Sequence, residues 1–140
     1  HADPADLAAM GAALAATGVT AHRPTLITAA PADHERALRA IAAAAGAGAG
    51  PRARILGAHL EGPFLSPVWP GAHPTEHLLA PSEAHVDRLR AAGPVGAMTL
   101  APELDGGLEL VAVLAGGGGV WTISAGPASA TVAFGAPVPG

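Results

Sequence analysis

The chain contains no cysteine, which excludes disulfide frameworks and thiolate metal sites and leaves histidine and carboxylate as the only strong metal ligands. Lys, Asn, Gln and Tyr are also absent, and all seven basic residues are arginine, a skew that fits GC-rich coding better than a functional demand. Aromatic residues make up only 3%, and much of the 50% hydrophobic content is alanine, so few bulky side chains are available to fill a core. The formal net charge is −4 and no basic run occurs, which argues against nucleic acid and against an anionic membrane surface as partners. His1-Ala2-Asp3-Pro4 shows no basic segment leading into an apolar stretch, so no secretory signal is visible and a cytoplasmic setting is expected. The first residue is not Met, which fits a piece of a longer protein.

No charged residue occurs from Leu110 to Gly140, a run long enough to raise the question of a membrane span. The glycines from Gly116 to Gly119, with Gly126, Pro127, Pro137 and Pro139, instead predict a buried strand and loops.

At 140 residues the default is one domain over 1–140. Asp3-Pro4 reads as an N-cap and first turn, followed by Leu7, Met10 and Leu14 at helical spacing and a stop at Gly18. Val19 to Ala29 reads as a strand in which Pro24 forces a bulge or an end. Ala32 to Ala45 is an amphipathic helix, with Leu38 and Ile41 inward and His34, Glu35, Arg36 and Arg39 on its other sides. A short apolar strand follows from Arg54 to His59, then a long proline-rich loop from Gly62 to Pro81. Ser82 opens a helix that buries Val86 and Leu89, Val95 to Leu100 is a strand, Leu108 to Leu114 a short helix and Val120 to Ser124 a strand. Four alternations of helix and strand predict an α/β fold with a parallel sheet, either doubly wound or part of a (β/α)₈ barrel. A complete barrel needs roughly 200 residues or more, so four units supply about half of one.

His59-Leu60-Glu61 ends a strand, and alternation puts His59 and Glu61 on one face. An imidazole and a carboxylate at the end of a parallel strand are a reasonable start to a divalent metal site; the bland alternative is a hydrogen-bonded core histidine beside a solvated carboxylate.

The stretch Gly57-Ala58-His59-Leu60-Glu61-Gly62-Pro63-Phe64-Leu65-Ser66-Pro67, followed by Gly71-Ala72-His73-Pro74, resembles the characteristic segment of the N-acetylglucosamine-6-phosphate deacetylases. Gly18-Val19-Thr20-Ala21, Pro24-Thr25-Leu26-Ile27-Thr28, Thr99-Leu100-Ala101-Pro102-Glu103 and Ile123-Ser124-Ala125-Gly126 extend the resemblance to about Thr131. It implies an internal fragment of a metal-dependent amidohydrolase, about four βα units of a (β/α)₈ barrel. The whole enzyme would hydrolyse the acetamide of N-acetylglucosamine 6-phosphate to glucosamine 6-phosphate and acetate. Glu61 would bind the catalytic divalent ion, with zinc the first expectation and iron or manganese the alternatives. His59 would be a neighbour on the strand and not a ligand, and Ala72 and His73 would contact the amino-sugar phosphate. Where the family carries a further metal-binding histidine after its Ser-x-Gly strand end, this chain has Pro127, which offers no lone pair. The remaining ligands and the catalytic aspartate would lie outside residues 1–140, so no catalytic residue is assigned within the chain and no activity is expected of the fragment alone. A metal-free sugar-phosphate-binding module and a degenerate remnant are the competing readings. The open sheet edges of half a barrel make homo-oligomerisation a further expectation.

Overall fold

The first helix, α1 (Pro4–Ala16), begins where the Asp3 carboxylate accepts the Ala5 amide at 2.7 Å and Pro4 occupies a position that needs no N–H donor. It ends at Gly18, whose φ of 88° admits the bonds Val19 N to Leu14 O at 3.1 Å and Gly18 N to Ala15 O at 3.0 Å. A computed structural model supplies these coordinates; it describes residues 3–47 and 50–116, and the backbone of 121–123 and 132–134. The buried face of α1 carries Leu7 and Gly11, while Met10, expected inward, is exposed. The Gly11 face of the helix is the one tied down: the Gly11 carbonyl accepts the Ala53 amide at 2.9 Å.

Pro24 divides the next segment as its chemistry requires. β1 (Ala21–His22) pairs in parallel with β3 (Arg54–Ile55), and β2 (Thr25–Ile27) pairs in parallel with β4 (Ala58–Glu61). Pro24 has no N–H to give, yet its carbonyl still accepts the His59 amide at 2.9 Å. The single strand expected from Arg54 to His59 is therefore two strands jointed at Leu56-Gly57. Gly57 has φ 88°, and a Cβ there would stand 2.9 Å from the Gly96 amide nitrogen.

The main sheet has the order β2-β4-β5-β6-β7, where β5 is Val95–Leu100, β6 is Trp121–Ile123 and β7 is Val132–Phe134. The strands β2, β4, β5 and β6 are parallel and lie in chain order, whereas β7 returns antiparallel beside β6. β7 is a strand that the sequence reading lacks. Three crossover helices, α2 (Pro31–Gly46), α3 (Glu83–Ala92) and α4 (Gly107–Gly116), connect the parallel strands. Their residues Leu38, Ile41, Val86, Leu89, Leu110 and Leu114 form one core cluster with Ala58, Leu60, Met98 and Leu100 of the sheet. In β4 the alternation is complete: Ala58 and Leu60 are fully buried under the helices, and His59 and Glu61 are only half-buried on the opposite face.

The long loop after Gly62 is tied back to this frame. Phe64 is buried, its carbonyl accepts the Ala101 amide at 2.8 Å, and the Pro63 carbonyl accepts the Leu79 amide at 3.0 Å. A short 3₁₀ turn, Thr75–His77, follows within it. Among the described residues no helix is long and apolar enough to cross a membrane.

Two histidines are buried, and for His34 this departs from its expected surface position. His34 is buried and donates from Nε2 to the Ile27 carbonyl at 2.8 Å; its spacing with Leu38 and Ile41 places it on the same helix face as they are. His85 is buried on α3 with its ring edge-on to Phe64 at 5.8 Å, and its Nδ1 accepts from Arg88 at 3.3 Å. Burial first, then the Arg88 and His34 charges, hold the His85 pKa below its ordinary 6.5, with Glu35 opposing. A histidine whose folded pKa is depressed leaves the unfolded chain binding more protons, so its contribution is intact above pH 6.5 and is lost as pH falls through the folded value. The melting temperature should therefore fall on acidification below that pH, and His85→Gln should flatten the dependence in a circular dichroism melt series; an unchanged slope would remove His85 as a source.

Candidate functional site

The C-terminal ends of β2, β4 and β5 bring the sequence-predicted residues to one edge of the sheet. Register places Ile27 opposite Glu61, and Glu61 opposite Thr99. Immediately after Glu61 the chain turns at Gly62, which has φ 87° and whose amide donates to the Thr99 carbonyl at 3.0 Å. This bond fixes the point at which β4 leaves the sheet.

His59 is held from both sides. Its Nδ1 lies 3.1 Å from Thr25 Oγ1 on β2, and its Nε2 lies 2.8 Å from Thr99 Oγ1 on β5. Burial lowers its pKa and Arg23 adds to the effect, while the Glu61 charge opposes both. With both ring nitrogens engaged by threonines, His59 ties three strands together and has no nitrogen free for a ligand.

Glu61 and His73 do meet. His73 Nε2 stands 3.6 Å from Glu61 Oε1; the histidine side chain is 12% exposed and the carboxylate 41%, so solvent reaches Glu61 from the open side. The loop that carries His73 is folded by its own bonds: Ser66 O accepts from the Trp69 amide at 3.2 Å and Pro70 O from the His73 amide at 3.0 Å. Ala72, expected to contact the amino-sugar phosphate, is exposed next to His73.

Thr28 was not singled out by the sequence as a site residue, yet it joins Glu61 to His73, which were. It is 1% exposed. Its hydroxyl donates to the Glu61 carbonyl at 3.2 Å and lies 3.0 Å from His73 Nδ1. Thr28 and His73 are 45 residues apart, and no local pattern pairs them.

Among the described residues no group of three or more His, Cys, Asp or Glu gathers in a metal-binding cluster. One carboxylate with one imidazole beside it falls short of the three protein ligands of a catalytic zinc site, so the described residues alone do not complete one. Pro127 and the segment 124–131 around it lie outside the described residues. Two grooves of about 350 Å³ lie elsewhere, one between β2 and the start of α2 and one between Leu65 and Leu104, and neither is lined by Glu61 or His73.

No family model matches the chain. It is 42% identical over 101 residues to the N-acetylglucosamine-6-phosphate deacetylase of Mus musculus, covering 69% of this chain and 24% of the relative. The Caenorhabditis elegans enzyme of the same name is 34% identical over 131 residues, covering 89% of this chain and 30% of the relative. An N-acetylgalactosamine-6-phosphate deacetylase of Escherichia coli is 38% identical over 96 residues, covering 67% of this chain and 25% of the relative. In three dimensions the chain is similar to the N-acetyl-D-glucosamine-6-phosphate deacetylase of Mycobacterium smegmatis, with TM-score 0.76 and 34% identity over 88% of this chain and 32% of that one. The Thermotoga maritima enzyme gives TM-score 0.67 at 26% identity over 85% of this chain and 31% of that one. The chain spans about a quarter of the length of the curated relatives it matches. By sequence over two thirds of its length and by fold over nearly nine tenths, the chain is similar to a part of the N-acetylglucosamine-6-phosphate deacetylases.

Proposed function

We propose that residues 1–140 form part of the catalytic domain of an amino-sugar-phosphate deacetylase, about four βα units of a (β/α)₈ barrel. The parent reaction is hydrolysis of the acetamide of N-acetylglucosamine 6-phosphate to glucosamine 6-phosphate and acetate. In support of this, a mutant of the Mycobacterium smegmatis enzyme is known in complex with N-acetyl-D-glucosamine-6-phosphate. The observation that carries the reading is the meeting of Glu61 and His73 at the C-terminal strand ends, where active sites of parallel α/β folds are built.

In this reading Glu61 is one ligand of a divalent ion, zinc before iron or manganese, and His73 with the backbone of Ala72 contacts the sugar phosphate. A divalent ion bound there would polarise the amide carbonyl and activate a water. This segment's own part is narrower: β4 holds the Glu61 carboxylate at the sheet edge, and the folded loop brings an imidazole beside it. With Glu61 as its one ligand the segment does not complete the site, so deacetylation needs residues beyond it. The reading carries with it a cytoplasmic setting and self-association through open sheet edges. The same shortfall of ligands favours, as a second reading, sugar-phosphate binding without metal.

Two substitutions test these assignments on the 140-residue chain. Glu61→Ala should lower zinc affinity at least about tenfold in elemental analysis after equilibration with zinc, given that even outer-shell partners contribute that much; metal content equal to the wild type would remove Glu61 as a ligand. His73→Ala should weaken calorimetric binding of N-acetylglucosamine 6-phosphate by about ten- to a hundredfold, the worth of a hydrogen bond to a charged group, while leaving bound zinc in place. Unchanged sugar-phosphate affinity would remove the His73 contact.

A further inference from the structure

Thr28 is the most deeply buried polar side chain at the site, and each of its polar contacts leads to Glu61 or His73. A carbonyl can only accept, so the 3.2 Å contact with Glu61 O takes the hydroxyl hydrogen and leaves Oγ1 free to accept from His73 Nδ1–H at 3.0 Å. The Thr28 amide also lies 3.4 Å from that nitrogen and can donate to it only when Nδ1 is unprotonated. These contacts belong to different neutral tautomers of the ring. Thr28 meets both: its hydroxyl oxygen serves the Nδ1–H form and its amide serves the Nε2–H form. The first form turns a lone pair on Nε2 toward Glu61, and the second turns an N–H toward it.

Gly62 supplies an independent observation. A Cβ at this residue would stand 2.2 Å from Thr28 Oγ1, an overlap with a group that is itself buried and hydrogen-bonded. The glycine after Glu61 therefore does more than turn the chain: its missing side chain is the space that the Thr28 hydroxyl occupies.

From this geometry we infer that Thr28 is a positioning residue, which holds the His73 ring against Glu61 in both tautomers and, through the Glu61 carbonyl, fixes the two side chains relative to each other. The inference rests on the reading of Glu61 and His73 as site residues and adds a residue which that reading does not contain.

The ring nitrogens of His73 report the outcome directly. In metal-free, ¹⁵N-labelled protein at alkaline pH, Thr28→Val removes the acceptor for Nδ1–H but keeps the amide, so the ¹⁵N shifts should move toward the Nε2–H tautomer; Thr28→Ser should restore the wild-type values. Ring shifts unchanged in Thr28→Val, or not restored in Thr28→Ser, would overturn the inference. Should Thr28→Val fail to fold, the wild type decides: His73 nitrogen shifts equal to those of free histidine would overturn it, and shifts of a ring hydrogen-bonded at Nδ1 would support it. Calorimetric titration with N-acetylglucosamine 6-phosphate should show about tenfold weaker binding in Thr28→Val and recovery in Thr28→Ser. A wild-type chain that binds no sugar phosphate would count against the functional reading, while the role of Thr28 would still be decided by the ring shifts.

Discussion

The last two residues of β4 are fixed by pairing on both sides, and the candidate site depends on that constraint. Glu61 sits opposite Ile27 on one neighbour and Thr99 on the other, so its carboxylate cannot move along the strand without breaking two ladders. The Gly62 amide then closes onto Thr99, and the chain leaves the sheet at a defined residue. Two residues earlier, His59 pins the same three strands through side chains, adding lateral ties where the ladder is short. The long loop inherits its position from this exit point and returns His73 to within 3.6 Å of Glu61.

Threonine does much of the polar work at this edge. In a chain without Asn, Gln, Lys or Tyr, buried hydrogen bonding falls to hydroxyls, imidazoles and the main chain. Thr25 and Thr99 hold His59, and Thr28 meets His73. A hydroxyl can donate or accept, so each histidine keeps a partner whichever nitrogen bears its proton. A thin hydrophobic core is compatible with this because the helices cover only one sheet face, and a handful of leucines, with Ile41, Val86, Met98 and Phe64, suffice for it.

Much of this was readable from local pattern. Asp3-Pro4 and Gly18 bounded the first helix, Pro24 marked a real break, and strand alternation put His59 and Glu61 on one face. Periodicity also points inward for His34, in line with Leu38 and Ile41, against the polarity of its ring. Contacts that sequence distance hides were out of reach. Thr28 reads as one more residue after a strand, and only the folded return of a distant loop gives it His73 as a partner. The β7 strand was hidden because its three residues take their conformation from pairing with β6 and not from a pattern of their own.

The bond between His34 and Ile27 has a meaning for whatever meets the outer edge of the sheet. Pro24 turns its carbonyl toward β4, and carbonyls alternate sides along a strand, so that of Ile27 points away from the sheet. An imidazole from α2 already occupies it. A newcomer extending the sheet would find its ladder stopped at Ile27 unless α2 withdrew its histidine. The helix thus acts as an end-stop, limiting how far along β2 an added strand can zip and setting the register in which it could join.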